Sequence, residues 1–466
     1  MSRALLDDTI AAISTPLGEG GIGIVRLSGP RAVEIVDRVF RSPKGISLKD
    51  VPSHTLHYGL IIDPATGTRV DEVLVSVMRA PRTYTREDVV EINCHGGIVP
   101  LRRVLELVLK QGARAAAPGE FTERAFLNGR ISIDQAEAVL DIIRAKTDLG
   151  LELSLERLEG RFSRPIKKIR AKLLGLLAGI EVGIDFPDYE EEALPREELI
   201  RDLENARRQV EYLLKHGRDG RIIREGLQVA IVGRPNVGKS TLLNALLQEN
   251  RAIVTPVPGT TRDRIEEWVE LEGVPFKLID TAGVRQVQED VERIGVELAL
   301  KAAEGADLVL LMLDLGAPLT SEDRAIAARL RGKRTVLLLN KLDLGRNFTA
   351  EEALRALRIE PEAVLEISAE FGEGLEELKG KLIGLVWEGR LEPREDIFLL
   401  NIRERDLLQR AGEALKEVLA NVREGATLDL LAVGLEEALE ILGELTGENL
   451  SEEVIERIFS DFCVGK

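Results

Sequence analysis

The string Gly233-Arg-Pro-Asn-Val-Gly-Lys-Ser240 carries the most specific chemistry in this sequence of 466 residues. It follows an apolar run, Leu227 to Val232, that reads as a buried strand, and it opens a helical pattern. In that setting glycines let backbone amides turn onto phosphate oxygens, a lysine places its charge between the β and γ phosphates, and a hydroxyl faces magnesium. Asn236, Val237, Gly238, Lys239, Ser240 and Thr241 are the expected contacts. A plain glycine-rich turn is the weaker reading, because the strand before and the helix after are what give the pattern meaning.

Further motifs stand behind it in order. Gly259-Thr-Thr-Arg-Asp263 occupies the place of a switch loop, so Thr261 is the expected second magnesium hydroxyl beside Ser240. Asp280-Thr-Ala-Gly283 ends the apolar run Phe276 to Ile279, which puts a carboxylate near magnesium and the Gly283 amide near the γ-phosphate, with Thr281 and Ala282 between. Asn340-Lys-Leu-Asp343 ends another apolar run. Asp343 can accept two hydrogen bonds from guanine, whereas adenine would leave that carboxylate unmatched. Ser368-Ala369, followed by Glu370, completes the base pocket with Lys341 and Leu342. GTP as substrate and GDP as product follow from these motifs together. Val284 stands where many small GTPases carry the glutamine that orients attacking water, so another group is needed for that step.

The elements that must hold these residues divide the chain. Strand signals at Thr9 to Thr15, Ile22 to Ser28, Thr55 to Ile62, Val70 to Met78 and Val89 to Cys94, with helices over Ala32 to Phe40 and Val99 to Gln111, predict an α+β domain over 1–118. Helical periodicity then dominates: Ile166, Ile169, Leu173, Leu176, Leu177, Ile180 and Ile184 form one apolar stripe, and Arg196 to His216 reads as a second helix. Gly217 to Arg221 reads as a polar linker. Strand and helix signals alternate over 219–384, the pattern of a doubly wound, mainly parallel sheet, and helices return over 385–466, with Ser451 as a cap. The expected fold is multidomain: an α+β N-terminal domain, an all-α domain in two parts (119–218 and 385–466), and an α/β phosphate-loop domain inserted between them.

Composition narrows the class. A hydrophobic share of 44% with 31% charged residues suits a globular chain, and no apolar run is long enough to span a membrane. Acidic Asp7 and Asp8 interrupt the start before a secretory leader could form, so a cytoplasmic location is expected. The net charge of -17 disfavours indiscriminate nucleic-acid binding, and two cysteines, Cys94 and Cys463, cannot build a disulfide framework. Gly18-Glu-Gly-Gly-Ile-Gly23 fits a dinucleotide pattern but precedes a strand, so it is rejected. Cys463-Val-Gly-Lys466 is a poor prenylation box. His95 reads as a turn histidine without a partner set. Arg161, Arg164, Lys167, Lys168, Arg170 and Lys172 form a basic run that fits either a nucleic-acid-backbone contact or a solvated helix face.

The order and wording of these motifs resemble the potassium-activated GTPases and, more narrowly, the MnmE (TrmE) family of tRNA modification GTPases, over essentially the whole chain. The likeness also covers Gly21 to Gly29, Glu91 to Gly97, Pro118 to Arg130 and the tail Phe462-Cys-Val-Gly-Lys466, where Val464 replaces the usual isoleucine. The resemblance implies that Asn236, Thr255, Val257 and Thr260 hold a potassium ion in place of an arginine finger, and that Pro256, Pro258 and Gly259 share that loop. From residue type alone Asn236 is equally a loop-stabilising side chain. The resemblance further makes Glu292 the general base, acting through a bridging water, although by composition Glu292 is a solvated helix residue among acids.

It implies that Arg26, Glu91, Arg130 and Lys466 contact a 5-formyl- or methylene-tetrahydrofolate in the N-terminal domain, with Arg130 where lysine is frequent. Cys463 is a candidate reactive thiol. The implied reaction adds an aminomethyl or carboxymethylaminomethyl group to C5 of the tRNA wobble uridine (position 34). The implied assembly is a homodimer working with an FAD-containing protein of the MnmG (GidA) family, and the implied GTPase is potassium-stimulated. The rival from another class is a GTP-dependent ribosome-assembly switch with no chemistry beyond hydrolysis.

Overall fold

Val25, Leu27, Val90, Ile92 and Cys94 are buried and alternate with the half-buried Ile24, Arg26, Glu91 and Asn93. That period of two sets the faces of the first sheet. The computed structural model describes residues 7–186, 195–250, 265–280, 299–387 and 398–466. They belong to two units: Met1–Leu140 with Arg157–Glu211 and Leu407–Lys466, and Asp141–Glu156 with Tyr212–Asp406.

In the first unit, strands β1 (Ile10–Ile13), β2 (Ile22–Ser28), β3 (Phe40–Arg41), β4 (Thr55–Ile62), β5 (Arg69–Met78), β6 (Val89–His95) and β7 (Arg114–Ala115) form one sheet in the order β3-β4-β5-β6-β2-β1-β7. All neighbours are antiparallel except β1 and β7. Helices Ala32–Val39 and Ile98–Lys110 bury Val33, Ile35, Val36, Leu101, Val104 and Val108 against one face. Arg26 and Glu91 sit directly opposite one another in the β2–β6 register and point to the other face.

The helical part of this unit follows its apolar stripe. Helix Ser163–Asp185 buries Ile166, Ile169, Leu173, Leu176, Leu177 and Ile180, and packs along helix Leu428–Thr446. Ile184 is only half-buried; Gly183 occupies the buried position at that end. The helix Glu452–Ser460 begins where Ser451 caps it, accepting a hydrogen bond from the Val454 amide at 3.4 Å. Its Ile455 and Phe459 pack with Phe462, Ile133 and Ala136.

The second unit holds β9 (Leu227–Val232), β10 (Ile265–Leu271), β11 (Val274–Asp280), β12 (Leu308–Asp314), β13 (Thr335–Asn340) and β14 (Ala363–Glu366), ordered β10-β11-β9-β12-β13-β14. The β10–β11 pair is antiparallel and the rest are parallel. Val229, Ile231, Leu308, Leu310, Met312, Val336 and Leu338 pack on one side, while Ala230, Val232, Val309, Leu311, Leu313, Leu337 and Leu339 pack on the other. Both faces are dry, which is why these strands read as continuous apolar runs. Strand β11 lies on one side of β9 and β12 on the other, so the loop after β9 opens at the switch in strand order, where such sheets bind ligands.

Two local expectations change. Gly217–Asp219, read as linker, is strand β8, paired in parallel with β15 (Phe398–Leu400) and followed by helix Gly220–Glu225. Gly217 is needed for close approach: a Cβ there would meet Leu400 Cδ1 at 2.1 Å. The hairpin strand β10 was not anticipated. Its two-residue turn, Glu272 (φ 49°) and Gly273 (φ 84°), has both residues in the left-handed region, the geometry that matches strand twist in a tight hairpin. The unit also takes in Leu149 and Leu153, which join the core with Leu271 and Val274. Among the described residues no helix is long and apolar enough to cross a membrane.

Candidate functional site

The phosphate loop is assembled by contacts that a larger residue would break. A Cβ on Gly233 would lie 2.6 Å from the Met312 carbonyl oxygen, and one on Gly238 (φ 102°) would lie 2.3 Å from Asn340 Nδ2. Asn236 adopts φ 62°, which asparagine tolerates better than most residues. Lys239 Nζ donates to the carbonyls of Gly233 at 2.9 Å and Arg234 at 2.7 Å, so the ammonium is held at the mouth of the loop. Ser240 is exposed on the first helical turn and Thr241 is half-buried behind it. The turn leaves its amides directed at an anion and its hydroxyl available to a cation.

Arg234, which the motif leaves unspecified, anchors the loop sideways. Its Nε donates to Asp323 Oδ1 at 2.8 Å, and the other oxygen of that buried carboxylate caps helix Ser321–Arg329 through the amide and hydroxyl of Thr320, each at 2.9 Å.

The base-recognition loops are tied to the phosphate loop through one side chain. Asn340, 2% exposed, donates from Nδ2 to the Val237 carbonyl at 2.7 Å and accepts from the Ala369 amide at 3.0 Å. Lys341 turns the chain at φ 67°, and its Nζ donates to Asp314 Oδ2 at 2.7 Å. Ser368 Oγ donates to Asp343 Oδ1 at 2.5 Å, which orients the exposed carboxylate and leaves Oδ2 for a ligand. Leu342 is held by its amide to the Ile367 carbonyl at 3.2 Å, and Glu370 is exposed at the rim. The phosphate-loop and base-loop residues therefore share one edge of one sheet. Asp280 ends β11 opposite Ile265. Thr255, Pro256, Val257, Pro258, Gly259, Thr260, Thr261, Thr281, Ala282, Gly283 and Glu292 lie outside the described residues, as does the Asp280 side chain.

A second cluster forms on the free face of the N-terminal sheet. Arg26 donates from Nε to Glu91 Oε1 at 2.8 Å and from Nη1 to the Gly465 carbonyl at 3.2 Å. The tail reaches there because it is bonded along its length: the Gly119 amide donates to the Cys463 carbonyl at 3.4 Å and the Phe121 amide to the Lys466 carbonyl at 3.2 Å. Gly465 (φ 94°) passes so close to β1 that a Cβ would meet the Ile13 carbonyl at 2.4 Å. Burial pushes the Lys466 ammonium below the ordinary lysine range, the Arg26 charge pushes the same way, and Glu91 and Cys463 act against it.

The guanidinium of Arg26 stands 6.0 Å from the Tyr84 ring centre and 5.8 Å from that of Phe121; Arg130 stands 4.9 Å from Tyr84 and donates to its carbonyl at 3.0 Å. Thr122 and Tyr84 share a hydroxyl hydrogen bond of 2.8 Å. Burial raises the phenol above its usual range, against the pull of Arg130 and Arg26. All four proposed folate contacts thus gather near two aromatic rings. Sequence reading missed Tyr84, which lies in a loop, and Phe121, which is buried in the short helix Glu120–Leu127. A carboxylate acceptor, several cations and aromatic faces suit a pteridine ring carrying a benzoyl-glutamate, the chemistry of a reduced folate.

Other expected residues have plainer places. His95 has a partner after all: Asp71 Oδ1 lies 2.7 Å from its Nδ1 and Oδ2 accepts its amide at 2.9 Å. Pairing of β5 with β6 brings them together, 24 residues apart, which a local reading cannot see. Cys94 is buried and its thiol is pushed up to about 12 by burial, then by Asp71; Cys463 is exposed. In the basic run, Arg170 pairs with Glu448, Lys172 with Asp202 at 2.8 Å, and Arg164 donates to the Glu159 carbonyl at 2.5 Å, while Lys167 and Lys168 are exposed.

Comparison with known proteins matches these regions. The family described as "GTP-binding protein TrmE N-terminus" covers residues 9–130, and "MnmE helical domain" covers 133–463. The tRNA modification GTPase MnmE of Geobacillus kaustophilus is 52% identical over 462 residues, covering 98% of this chain and 99% of that protein. The protein of the same name from Bacillus subtilis is 45% identical, covering 98% and 100%. The G domain of the T. maritima FeoB iron transporter aligns with 34% of this chain and 96% of its own, at 32% identity and a TM-score of 0.26. With its phosphate-loop and base-loop motifs at the carboxyl ends of parallel strands and about half its residues shared end to end with these enzymes, the chain binds and hydrolyses GTP and belongs to the MnmE family of tRNA modification GTPases.

Proposed function

We propose that this protein is the GTP-hydrolysing half of a tRNA-modifying complex. It acts as a homodimer with an FAD-dependent partner of the MnmG (GidA) family, in the cytoplasm. The product is an aminomethyl or carboxymethylaminomethyl group on C5 of the wobble uridine, with the one-carbon unit supplied by a tetrahydrofolate. Domains over 1–118, 119–218 with 385–466, and 219–384 divide this work into folate binding and dimerisation, a helical frame, and the GTPase.

The observation that carries the reading is the union of chain ends: Arg26 bonded to Glu91 and to the Gly465 carbonyl, with Lys466 and Arg130 close by. A switch protein has no use for a second built site far from its nucleotide motifs in the sequence. Bound folate supplies the transferable carbon; Glu91 offers an acceptor to the amino and ring N–H edge of the pteridine, Arg26 orients that carboxylate through its 2.8 Å hydrogen bond, and Lys466 and Arg130 supply positive charge. Cys463 is a candidate nucleophile on the same tail.

In the GTPase, Lys239 and the amides of Val237 and Gly238 hold the phosphates, Ser240 and Thr261 would hold magnesium, and Asn236 with Thr255, Val257 and Thr260 would hold potassium. A cation there offsets the charge that spreads over the γ-phosphate, and Glu292 takes a proton from the attacking water through a bridging water. Glu292→Ala should keep GTP affinity and lose turnover by at least about a hundredfold. Potassium should accelerate the wild-type protein well beyond sodium; equal rates in both salts would end that assignment. Mass spectrometry of wobble uridine from a deletion strain, with and without this protein, tests the whole reading. Unaltered modification in the deletion strain would favour a ribosome-assembly switch instead.

A further inference from the structure

Next to the Arg26–Glu91 cluster lies a shallow cavity of about 440 Å³ lined by His54, Met78, Arg82, Tyr84, Arg86 and Arg130. Three of its lining residues are arginines. Several arginines of the same unit hold carboxylates: Arg26 with Glu91, Arg69 with Glu72, Arg79 with Asp88, Arg114 with Asp8 and Glu120, and Arg124 with Glu87. Among the described residues the three arginines of the cavity have no carboxylate. Arg86 donates only to the Asn128 carbonyl at 2.8 Å, Arg130 only to the Tyr84 carbonyl, and Arg82 is exposed. Arg86 is also held at φ 61°, in the left-handed region, by the turn that presents it. In a protein with a net charge of -17, three uncompensated guanidiniums around one hollow make a local anion site.

The occupant follows from continuity. Tyr84 lines the cavity and its ring also faces Arg26; Arg130 lines it too and is one of the four folate contacts proposed above. A ligand whose pteridine engages Glu91 has its negative end to place, and the cavity that shares Tyr84 with that cluster offers Arg82, Arg86 and Arg130. We propose that this cavity binds the γ-linked oligoglutamate tail of the reduced folate, so that the polyglutamylated form is the ligand this chain selects. Each added glutamate brings one α-carboxylate, and the guanidinium fork pairs with carboxylates in bidentate fashion. A nucleic-acid backbone would want a longer basic track than one hollow. The proposal rests on the folate reading.

The test is calorimetric binding of mono- and pentaglutamyl 5-formyltetrahydrofolate to the full-length protein. At low ionic strength the pentaglutamate should bind at least about tenfold tighter than the monoglutamate, and salt should erode that ratio. In Arg82→Gln/Arg86→Gln the ratio should fall below about two, and Arg82→Glu alone should also lower it. A ratio near one in the wild type, or an unchanged ratio in both variants while both ligands bind, overturns the proposal and leaves the folate reading standing. Failure of both ligands to bind the wild type ends the folate reading and this proposal with it. A variant that weakens tRNA binding and flattens its salt dependence, with the folate ratio intact, would reassign the cavity to nucleic acid.

Discussion

The nucleotide site and the tail-lined site are built on opposite plans. In the first, each described functional residue lies in a short string that closes one strand of one sheet, and Asn340 stitches the phosphate loop to the Ala369 loop over 2.7 and 3.0 Å. In the second, Arg26 and Gly465 meet across 439 residues, and the contact depends on a tail threaded against β1 and β2. The first depends on loops that end buried strands. The second depends on how well a short segment docks.

That contrast predicts how each fails. The largest effect should come from Lys239→Ala, which removes the ammonium from the phosphate loop: GTP affinity should fall by about a hundredfold or more, read by nucleotide-binding titration. A loss below threefold would mean that the loop amides alone hold the phosphates. Next in size is Gly465→Ala. A Cβ at φ 94° against the Ile13 carbonyl should cost about 1–3 kcal/mol of tail docking. Folate affinity should drop about tenfold while GTP affinity stays where it was; a parallel loss of both would erase the distinction between the two plans.

The smallest effect concerns the thiols. At pH 8 one cysteine per chain, Cys463, should react with iodoacetamide under native conditions, and mass spectrometry of the digest would expose a labelled Cys94 as a contradiction. The sign of the linked pH effect follows. The folded state keeps the Cys94 proton up to about 12, whereas the unfolded chain releases it near 9.0, so stability should decline between those values as pH rises.

Legibility in the sequence tracks the same contrast. The runs Leu227 to Val232, Leu308 to Leu313 and Thr335 to Leu339 announced strands buried on both faces, and the motifs at their ends needed no tertiary information. In the N-terminal domain the strands carrying Arg26 and Glu91 were legible, but the register that sets the two opposite one another, and the residues that cover their face, were hidden. Tyr84 lies in an aperiodic loop and Phe121 in a short helix, and tertiary contacts bring them to Arg26: Thr85 bonds to Ser28 at the end of β2, and Phe121 packs on Ile10 and Ala12 of β1. Strand β8 was unreadable for another reason: three residues of turn-like composition become strand because β15 supplies the hydrogen-bonding edge. The hairpin of β10 and β11 was readable in principle, since Glu272-Gly273 between alternating segments is a turn signal.

The Asn340 amide fills the space that a side chain at position 238 would need. Phosphate grip and base discrimination are therefore not separable traits in this protein. Any replacement of Gly238 must displace the group that also positions the Ala369 loop, so a change made at the phosphate end should surface as relaxed purine choice. Attempts to retune nucleotide preference by redesigning the base loop alone face the same linkage in reverse, and variants would have to move in pairs.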